Sequence, residues 1–296
     1  MREVVSVSSC KLMFPQSTTQ AKRISFQALS WSLFVVGLAL YGYAAHSRHL
    51  ENPEDRVVPT ATQLFQGLAE AALQPDPEDA TPADAGTGSL PHRFLEGMLW
   101  KDTRASARRF LLSLALLIPA VLLGLHMASF PVLGALFLRF ILFFDKIVAL
   151  SVLPILFIAF GIDELAKIML IVIGVTPTII LDTYNLTKSV PPEQIIKAYT
   201  LGARKFCVTY LVTLKQILPR VVNGIRLNLK AIMLFLFAGE MIASTDGLAF
   251  RIALLRRHMG MNVIIPYVLW VALLLFLVDL SLRLFNRTMH PWFQEN

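Results

Sequence analysis

The chain has only two cysteines, Cys10 and Cys207, and they lie far apart. Such a low number excludes a disulfide framework and offers no thiol pair with the spacing of a zinc site. The six histidines are scattered, without an H-E-x-x-H motif. No GxxxxGK(S/T) loop is present, and residues 86–89 (GTGS) lack the lysine that reaches ATP phosphates. The sequence therefore predicts no metal site, no cofactor site and no ATP hydrolysis in this chain, so any ATP would be bound by a partner.

Charge is also scarce, because only 16% of residues are charged, whereas 55% are hydrophobic and the mean hydropathy is +0.61. A soluble domain of this length does not need so much apolar surface, so a membrane protein is the default interpretation. The net charge of +7 would suit nucleic acid in a soluble protein. In a membrane protein it fits cytoplasmic loops and anionic lipid better. We therefore predict membrane lipid, and no nucleic acid, as a partner.

The apolar segments predict an all-α integral membrane protein with about six transmembrane helices. The predicted spans are 28–43, 108–127, 147–160, 167–186, 220–243 and 263–285. Residues 130–160 are too long for one straight span across a core of roughly 30 Å, so we predict a break near Asp145. The predicted organisation is a cytoplasmic tail (1–27), a first transmembrane helix (28–45), an acidic external segment (46–106), a transmembrane core (107–288) and a C-terminal tail (289–296).

The distribution of charge sets the orientation. Ten of the 20 acidic residues lie between Glu51 and Asp102, against three basic ones, and residues 57–73 within that segment have the spacing of a surface helix. Residues 188–220 carry six basic side chains and only one carboxylate, Glu193. Because lysine and arginine concentrate on the cytoplasmic side, residues 188–220 are predicted to be cytoplasmic. Arg251, Arg256 and Arg257 would then lie outside, which weakens the assignment.

A short helix is predicted within the basic loop. Pro191 and Pro192 suit a helix start, and Glu193 falls in the first turn, where the helix dipole favours an anion. Gly202 would either end this helix or allow close backbone approach. On these features alone, a plain cytoplasmic loop with one amphipathic turn is an equally good interpretation.

Five short stretches resemble known sequences. Residues 199–204 (YTLGAR), 217–219 (ILP) and 224–227 (GIRL) are similar to the EAA signature of ABC importer membrane subunits. Residues 160–168 (FGIDELAKI) and 238–248 (AGEMIASTDGL) resemble the nitrate/taurine/aliphatic-sulfonate branch of that family. The resemblance covers roughly residues 103–291. The chain departs from the family pattern at Ile196 and Lys197, which replace the glutamate and first alanine of EAA, and at Lys215, where many members have an extra proline.

The resemblance implies a type I ABC importer permease fold with a coupling helix near 191–205 that docks on a separate ATPase subunit. The docking residues it implies are Glu193, Ile196, Ala198, Leu201, Gly202, Ala203 and Arg204. It further implies a second permease copy, as a homodimer or with a paralogue, and a periplasmic or lipid-anchored solute-binding protein. The site of action would be the bacterial inner membrane, where the chain crosses the bilayer several times. The implied cargo is a small solute such as nitrate, bicarbonate, taurine or a sulfonate.

Charged and polar residues within apolar segments are the remaining candidates, because charge in lipid is costly. Glu240, with Ser244 and Thr245 close by, is predicted to line the pathway, latch helices near the outer gate, or serve only in helix packing. Arg139 could attract an anion, extend towards the interface, or pair with Asp145. Two other functions stay open: a secondary transporter driven by an ion gradient, although no internal repeat is evident, and an intramembrane enzyme, although no nucleophile–base pair is evident.

Overall fold

The structure, a computed structural model, describes residues 32–33, 35–37, 39–48, 50, 58–73, 97–257 and 260–293. Every regular element in these ranges is a helix, in agreement with the predicted all-α fold. The chain divides into two compact units, Met1–Ala61 and Thr62–Asn296, and the second contains the sites described below. Of the predicted first span, 28–45, residues 32–33, 35–37 and 39–45 are described, and all of them are helical; the rest lie outside the described residues.

Eleven helices and one π-helical segment are named here in chain order. The helices are α1 (Ala61–Leu73), α2 (Met98–Leu116), α3 (Ile118–Ser129), α4 (Pro131–Phe144), α5 (Ala149–Phe160), α6 (Glu164–Lys188), α7 (Pro192–Thr200), α8 (Lys205–Cys207), α9 (Lys215–Ala243), α10 (Leu248–Arg257) and α11 (Met261–Met289). The π segment, Val208–Leu214, joins α8 to α9, so that Lys205–Ala243 is one helical run.

Four helical runs in the described residues are long and apolar enough to cross a membrane: Met98–Ser129, Glu164–Lys188, Lys205–Ala243 and Met261–Met289. They correspond to the predicted second, fourth, fifth and sixth spans, and each extends beyond its predicted limits. The first of them is interrupted at Leu117, where α2 ends and α3 begins. Pro119 lies in the first turn of α3 and has no backbone N–H. It cannot donate the i to i−4 hydrogen bond that would continue α2 without a break, which explains the interruption.

The predicted third span, 147–160, is present as the helix α5, which follows the predicted break. The helix α5 has 12 residues, or about 18 Å, which is too short for a hydrocarbon core of roughly 30 Å. Instead, α4 and α5 form a pair bent by 96° that together have the length and composition of a span. The bend lies at the predicted break, where Asp145 ends α4 and accepts a hydrogen bond of 3.0 Å from Thr178 of α6.

The helix α6 lies at the centre of the bundle, in contact with α2, α3, α4, α5 and α9. Two glycines allow its close packing. A Cβ atom at Gly124 of α3 would lie 2.6 Å from the carbonyl oxygen of Ile180, and one at Gly174 would lie 2.6 Å from the ring of Phe235. Small residues at such crossings are typical of membrane helices, where close van der Waals packing replaces the hydrophobic effect. These contacts hold the middle of α6 close to α3 and α9.

The predicted surface helix in the acidic segment is present as α1. Its buried residues are Gly67 and Ala71, and Ala71 belongs to an apolar cluster with Leu99 and Tyr267. The larger apolar residue Phe65 of the same helix is 75% exposed. The helix therefore packs by its small residues against the beginnings of α2 and α11.

Candidate functional sites

The segment predicted as the coupling helix, near 191–205, contains the helix α7, which is shorter and ends at Thr200, two residues before Gly202. Pro192 occupies its first turn, together with Glu193. At its end the amide of Gly202 donates to the carbonyl of Tyr199 (2.9 Å), and the amide of Ala203 donates to the carbonyl of Ala198 (3.1 Å). This pair of bonds is the Schellman motif, whose left-handed residue is Gly202 with φ of 81°. Among the residues that the structure describes, none has an atom within 4 Å of a Cβ atom built at Gly202, so glycine is required there by backbone conformation.

One flank of α7 is apolar and uncovered. Ile195 packs against the main apolar core, whereas Ile196 is 60% exposed and Tyr199 is 45% exposed. Leu201, just beyond the helix, is 79% exposed. Among the other predicted docking residues, Glu193 and Arg204 are exposed, and Ala198 and Ala203 are partly buried. This segment is too short and too polar to span a membrane, so its exposed apolar side chains form a candidate surface for contact with another protein.

The helical run after α7 is anchored at its base. The ring of Phe130, at the end of α3, contacts the ring of Phe206 and lies 4.5 Å from Lys205 Nζ. The hydroxyl of Tyr210, in the π segment, is hydrogen-bonded to Nε2 of His126 at 2.9 Å. From this base, the 39 residues of Lys205–Ala243 extend for about 58 Å. Glu240 lies near the far end of that run, remote from α7.

A charged cluster occupies the ends of the spans remote from α7. Its centre is Arg109 of α2, whose side chain is 3% exposed. Nε and one terminal nitrogen of Arg109 hold the carboxylate of Glu164 at 2.6 and 2.8 Å. The other terminal nitrogen contacts Glu240 and the carbonyl of Asp246, each at 2.9 Å, and the Asp246 carboxylate also pairs with Arg109. One guanidinium thus joins α2, α6, α9 and the loop before α10, and we call these groups the Arg109 cluster.

Glu240 is completely buried and fully hydrogen-bonded. One oxygen accepts from the Ser106 hydroxyl at 2.7 Å and from Arg109, and the other accepts from the Ala249 amide at 3.1 Å. The Ser106 oxygen in turn accepts from the Leu248 amide at 2.9 Å. Side chains of α2 and α9 thereby satisfy two amides in the first turn of α10, which would otherwise lack partners.

A second buried ion pair lies beside the first. Asp102, which is 0% exposed, accepts from Arg251 at 2.9 Å, from the Tyr267 hydroxyl at 3.2 Å and from the Gly247 amide at 3.1 Å. Arg251 is therefore buried in an ion pair with Asp102. A buried, paired arginine does not count in the positive-inside rule, so Arg251 no longer weakens the predicted orientation. Arg256 and Arg257 remain exposed at the end of α10.

The other predicted candidates lie as follows. Ser244 accepts from Lys167 Nζ at 3.1 Å and donates to the Asp246 carbonyl at 2.6 Å, so it belongs to the Arg109 cluster. Thr245 is exposed. Arg139 is exposed on α4 and does not pair with Asp145, whose ionic partner among the described residues is Lys146. The pairing of Arg139 with Asp145 was therefore a wrong alternative.

Sequence reasoning missed Arg109, Asp102, Glu164 and Lys167 as members of a site. Glu164 and Lys167 lie in a stretch that carried the family resemblance, but no role was assigned to them. Arg109, near the beginning of a predicted span, is a charge in an apolar segment, which is the signal that could have identified it.

Comparison with known proteins gives concordant results. Residues 120–291 match the family described as "Binding-protein-dependent transport system inner membrane component". The chain is 30% identical over 206 residues to the taurine transport system permease protein TauC of Escherichia coli (strain K12), covering 69% of this chain and 75% of that one. It is 29% identical over 143 residues to the putative aliphatic sulfonates transport permease protein SsuC of Bacillus subtilis (strain 168), covering 48% and 52%. In fold it resembles a chain of the inward-facing MetNI methionine ABC transporter, with a TM-score of 0.53 at 18% identity over 68% of this chain and 99% of that chain.

Proposed function

The chain belongs to the family of binding-protein-dependent transport system inner membrane components and is a multi-pass permease subunit of an ABC importer. From this premise, we propose that it imports a small sulfonate such as taurine, delivered by a solute-binding protein and driven by a separate ATPase subunit that docks on α7. The relatives named for taurine and aliphatic sulfonates support the substrate class. A second permease copy completes the pathway in this proposal.

The exposed apolar flank of α7 is the observation that carries the mechanism. Ile196, Tyr199 and Leu201 are 45–79% exposed in the subunit, although they are apolar. Their burial in a groove of the ATPase would remove that apolar surface from water. Because the Schellman motif joins α7 to the helical run Lys205–Ala243, movement of α7 on closure of the ATPase shifts the base of that run. The spans then alternate between inward-open and outward-open states.

The Arg109 cluster has a different role in this proposal. Glu240 uses both of its oxygens in bonds to α2 and α10 and has no exposed surface. Breaking these bonds would leave a buried carboxylate without a partner, which is costly. We therefore assign Glu240 to a latch that holds the outer ends of α2, α9 and α10 together during transport.

The substrate class can be tested in cells. Cells that lack this chain are expected to lose uptake of labelled taurine, to retain uptake of labelled nitrate, and to regain taurine uptake when the chain is supplied. Unlabelled ethanesulfonate should compete with taurine in the complemented cells, because the two share a sulfonate head. Loss of nitrate uptake with unchanged taurine uptake would assign the permease to a different anion.

A further inference from the structure

The carboxylate of Glu164 is held in the way that a bound anion is held. Two nitrogens of Arg109 contact its two oxygens at 2.6 and 2.8 Å, and Lys167 Nζ contacts one of these oxygens at 2.8 Å. Parallel bonds from a guanidinium to two oxygens are the geometry that selects carboxylate and other oxyanions in binding sites. Glu164 also stands in the first turn of α6, where the helix dipole adds to the attraction of an anion.

The cations of this contact are buried, whereas the anion is not. The side chains of Arg109 and Lys167 are 3% and 4% exposed, and that of Glu164 is 53% exposed. Glu240 and Asp246 fix Arg109 on its other edges, and Ser244 holds Lys167 from the opposite side. If the Glu164 side chain turns into solvent, both cations therefore remain in place with a vacant oxyanion position between them.

A sulfonate fits that position in charge and in number of oxygens. Its three oxygens can meet the two Arg109 nitrogens and Lys167 Nζ, which are the same donors that Glu164 occupies. An incoming monoanion replaces the Glu164 carboxylate one for one, so the total charge among the buried groups is unchanged. A neutral solute of the same shape can accept hydrogen bonds from these donors but lacks the ionic attraction to the two cations, so it is held more weakly.

We propose that Arg109 and Lys167 form a binding subsite for the sulfonate head of the transported solute, and that Glu164 occupies this subsite until the solute displaces it. This inference rests on the proposed sulfonate transport and adds the residues that recognise the solute within the permease. Glu164 acts here as a competing internal ligand, which lowers the affinity of the subsite for free solute and favours release.

The test is calorimetric binding to the purified complex of permease and ATPase, without the solute-binding protein. The probe is methanesulfonate, and dimethyl sulfone is its neutral isostere. Glu164→Ala is expected to tighten methanesulfonate binding by at least about tenfold relative to wild type, because the vacated donors are then free for the probe. Lys167→Met in the Glu164→Ala background should reverse that gain. Dimethyl sulfone should bind no better to any of these variants.

Asp163→Ala is the matched control, since Asp163 is exposed and its loss removes the same charge one residue away. It should bind methanesulfonate like wild type. Glu164→Gln provides a second test if the alanine variant is unstable, and should give a smaller gain of the same sign. Equal methanesulfonate affinities for wild type, Glu164→Ala and Glu164→Gln would overturn the subsite, as would an equal gain with Asp163→Ala. Normal taurine uptake by the wild type in that case would leave the proposed function standing, whereas absence of uptake would count against the function itself.

Discussion

Replacement of Arg109 by methionine is expected to destabilise the permease by about 3–5 kcal/mol, because it leaves a buried carboxylate without its ionic partner. Glu240 is 0% exposed and cannot reach water, whereas Glu164 and Asp246 are 53% and 35% exposed and can be rehydrated. The cost therefore comes mainly from Glu240. The measurement is the thermal unfolding midpoint of the purified permease, with its level in the membrane determined in parallel.

Two further variants identify the cause of that loss. Arg108→Met removes the same charge from the adjacent residue, which is exposed on α2, and should change stability by no more than about 0.5 kcal/mol. Glu240→Gln in the Arg109→Met background should recover part of the loss, since glutamine is neutral and its amide oxygen can still accept a hydrogen bond from Ser106 or Ala249. If Arg109→Met and Arg108→Met have equal midpoints, the cluster does not stabilise the bundle.

A charge on the exposed flank of α7 is expected to abolish docking of the ATPase. Ile196→Asp places a carboxylate where the proposal buries an apolar side chain, which costs about 3–5 kcal/mol when no partner is available. That cost corresponds to a decrease in affinity of roughly a hundred- to several-thousand-fold. The permease itself should still insert, because Ile196 is 60% exposed in the subunit. The measurement is recovery of the ATPase in a pull-down with tagged permease.

Gln194→Asp is the control for this experiment. Gln194 is exposed on the same helix, and at 100° per residue it lies away from the flank formed by Ile196 and Tyr199. It should retain the ATPase at the wild-type level. Full recovery of the ATPase with Ile196→Asp would show that α7 is not the docking element.

Local features of the sequence predicted local structure well. Pro192, Glu193 and Gly202 set the start and end of α7 through rules that act within a single helical turn. The break at Asp145 was also predicted, from the length of the apolar segment 130–160. The reason for Gly202 was open in the sequence, which allowed either a helix end or close backbone packing. In the structure Gly202 has a left-handed backbone conformation, and no described atom lies close to its Cβ position. Its role within the described residues is therefore to end α7, and not to allow close backbone packing.

The charged cluster could not be predicted because its partners are distant in sequence. Arg109 is 55 residues from Glu164 and 131 from Glu240, and hydrophobic periodicity contains no information about such pairs. The break before the third span was predicted, but the 96° angle between α4 and α5 was not, because hydropathy gives no direction to a chain after a break. Both cases depend on tertiary contacts rather than on local propensity.

In the proposed function, ATP hydrolysis by a partner subunit powers transport through this chain. Proteoliposomes containing the permease, its ATPase and the solute-binding protein allow a direct measurement of labelled taurine transport with ATP on the ATPase side. Transport is expected to require ATP, to stop when the ATPase carries a catalytically inactive substitution, and to persist when ionophores dissipate proton and sodium gradients. Transport that continues without ATP and stops when those gradients are dissipated would contradict the proposed function, and would identify the chain as a gradient-driven carrier.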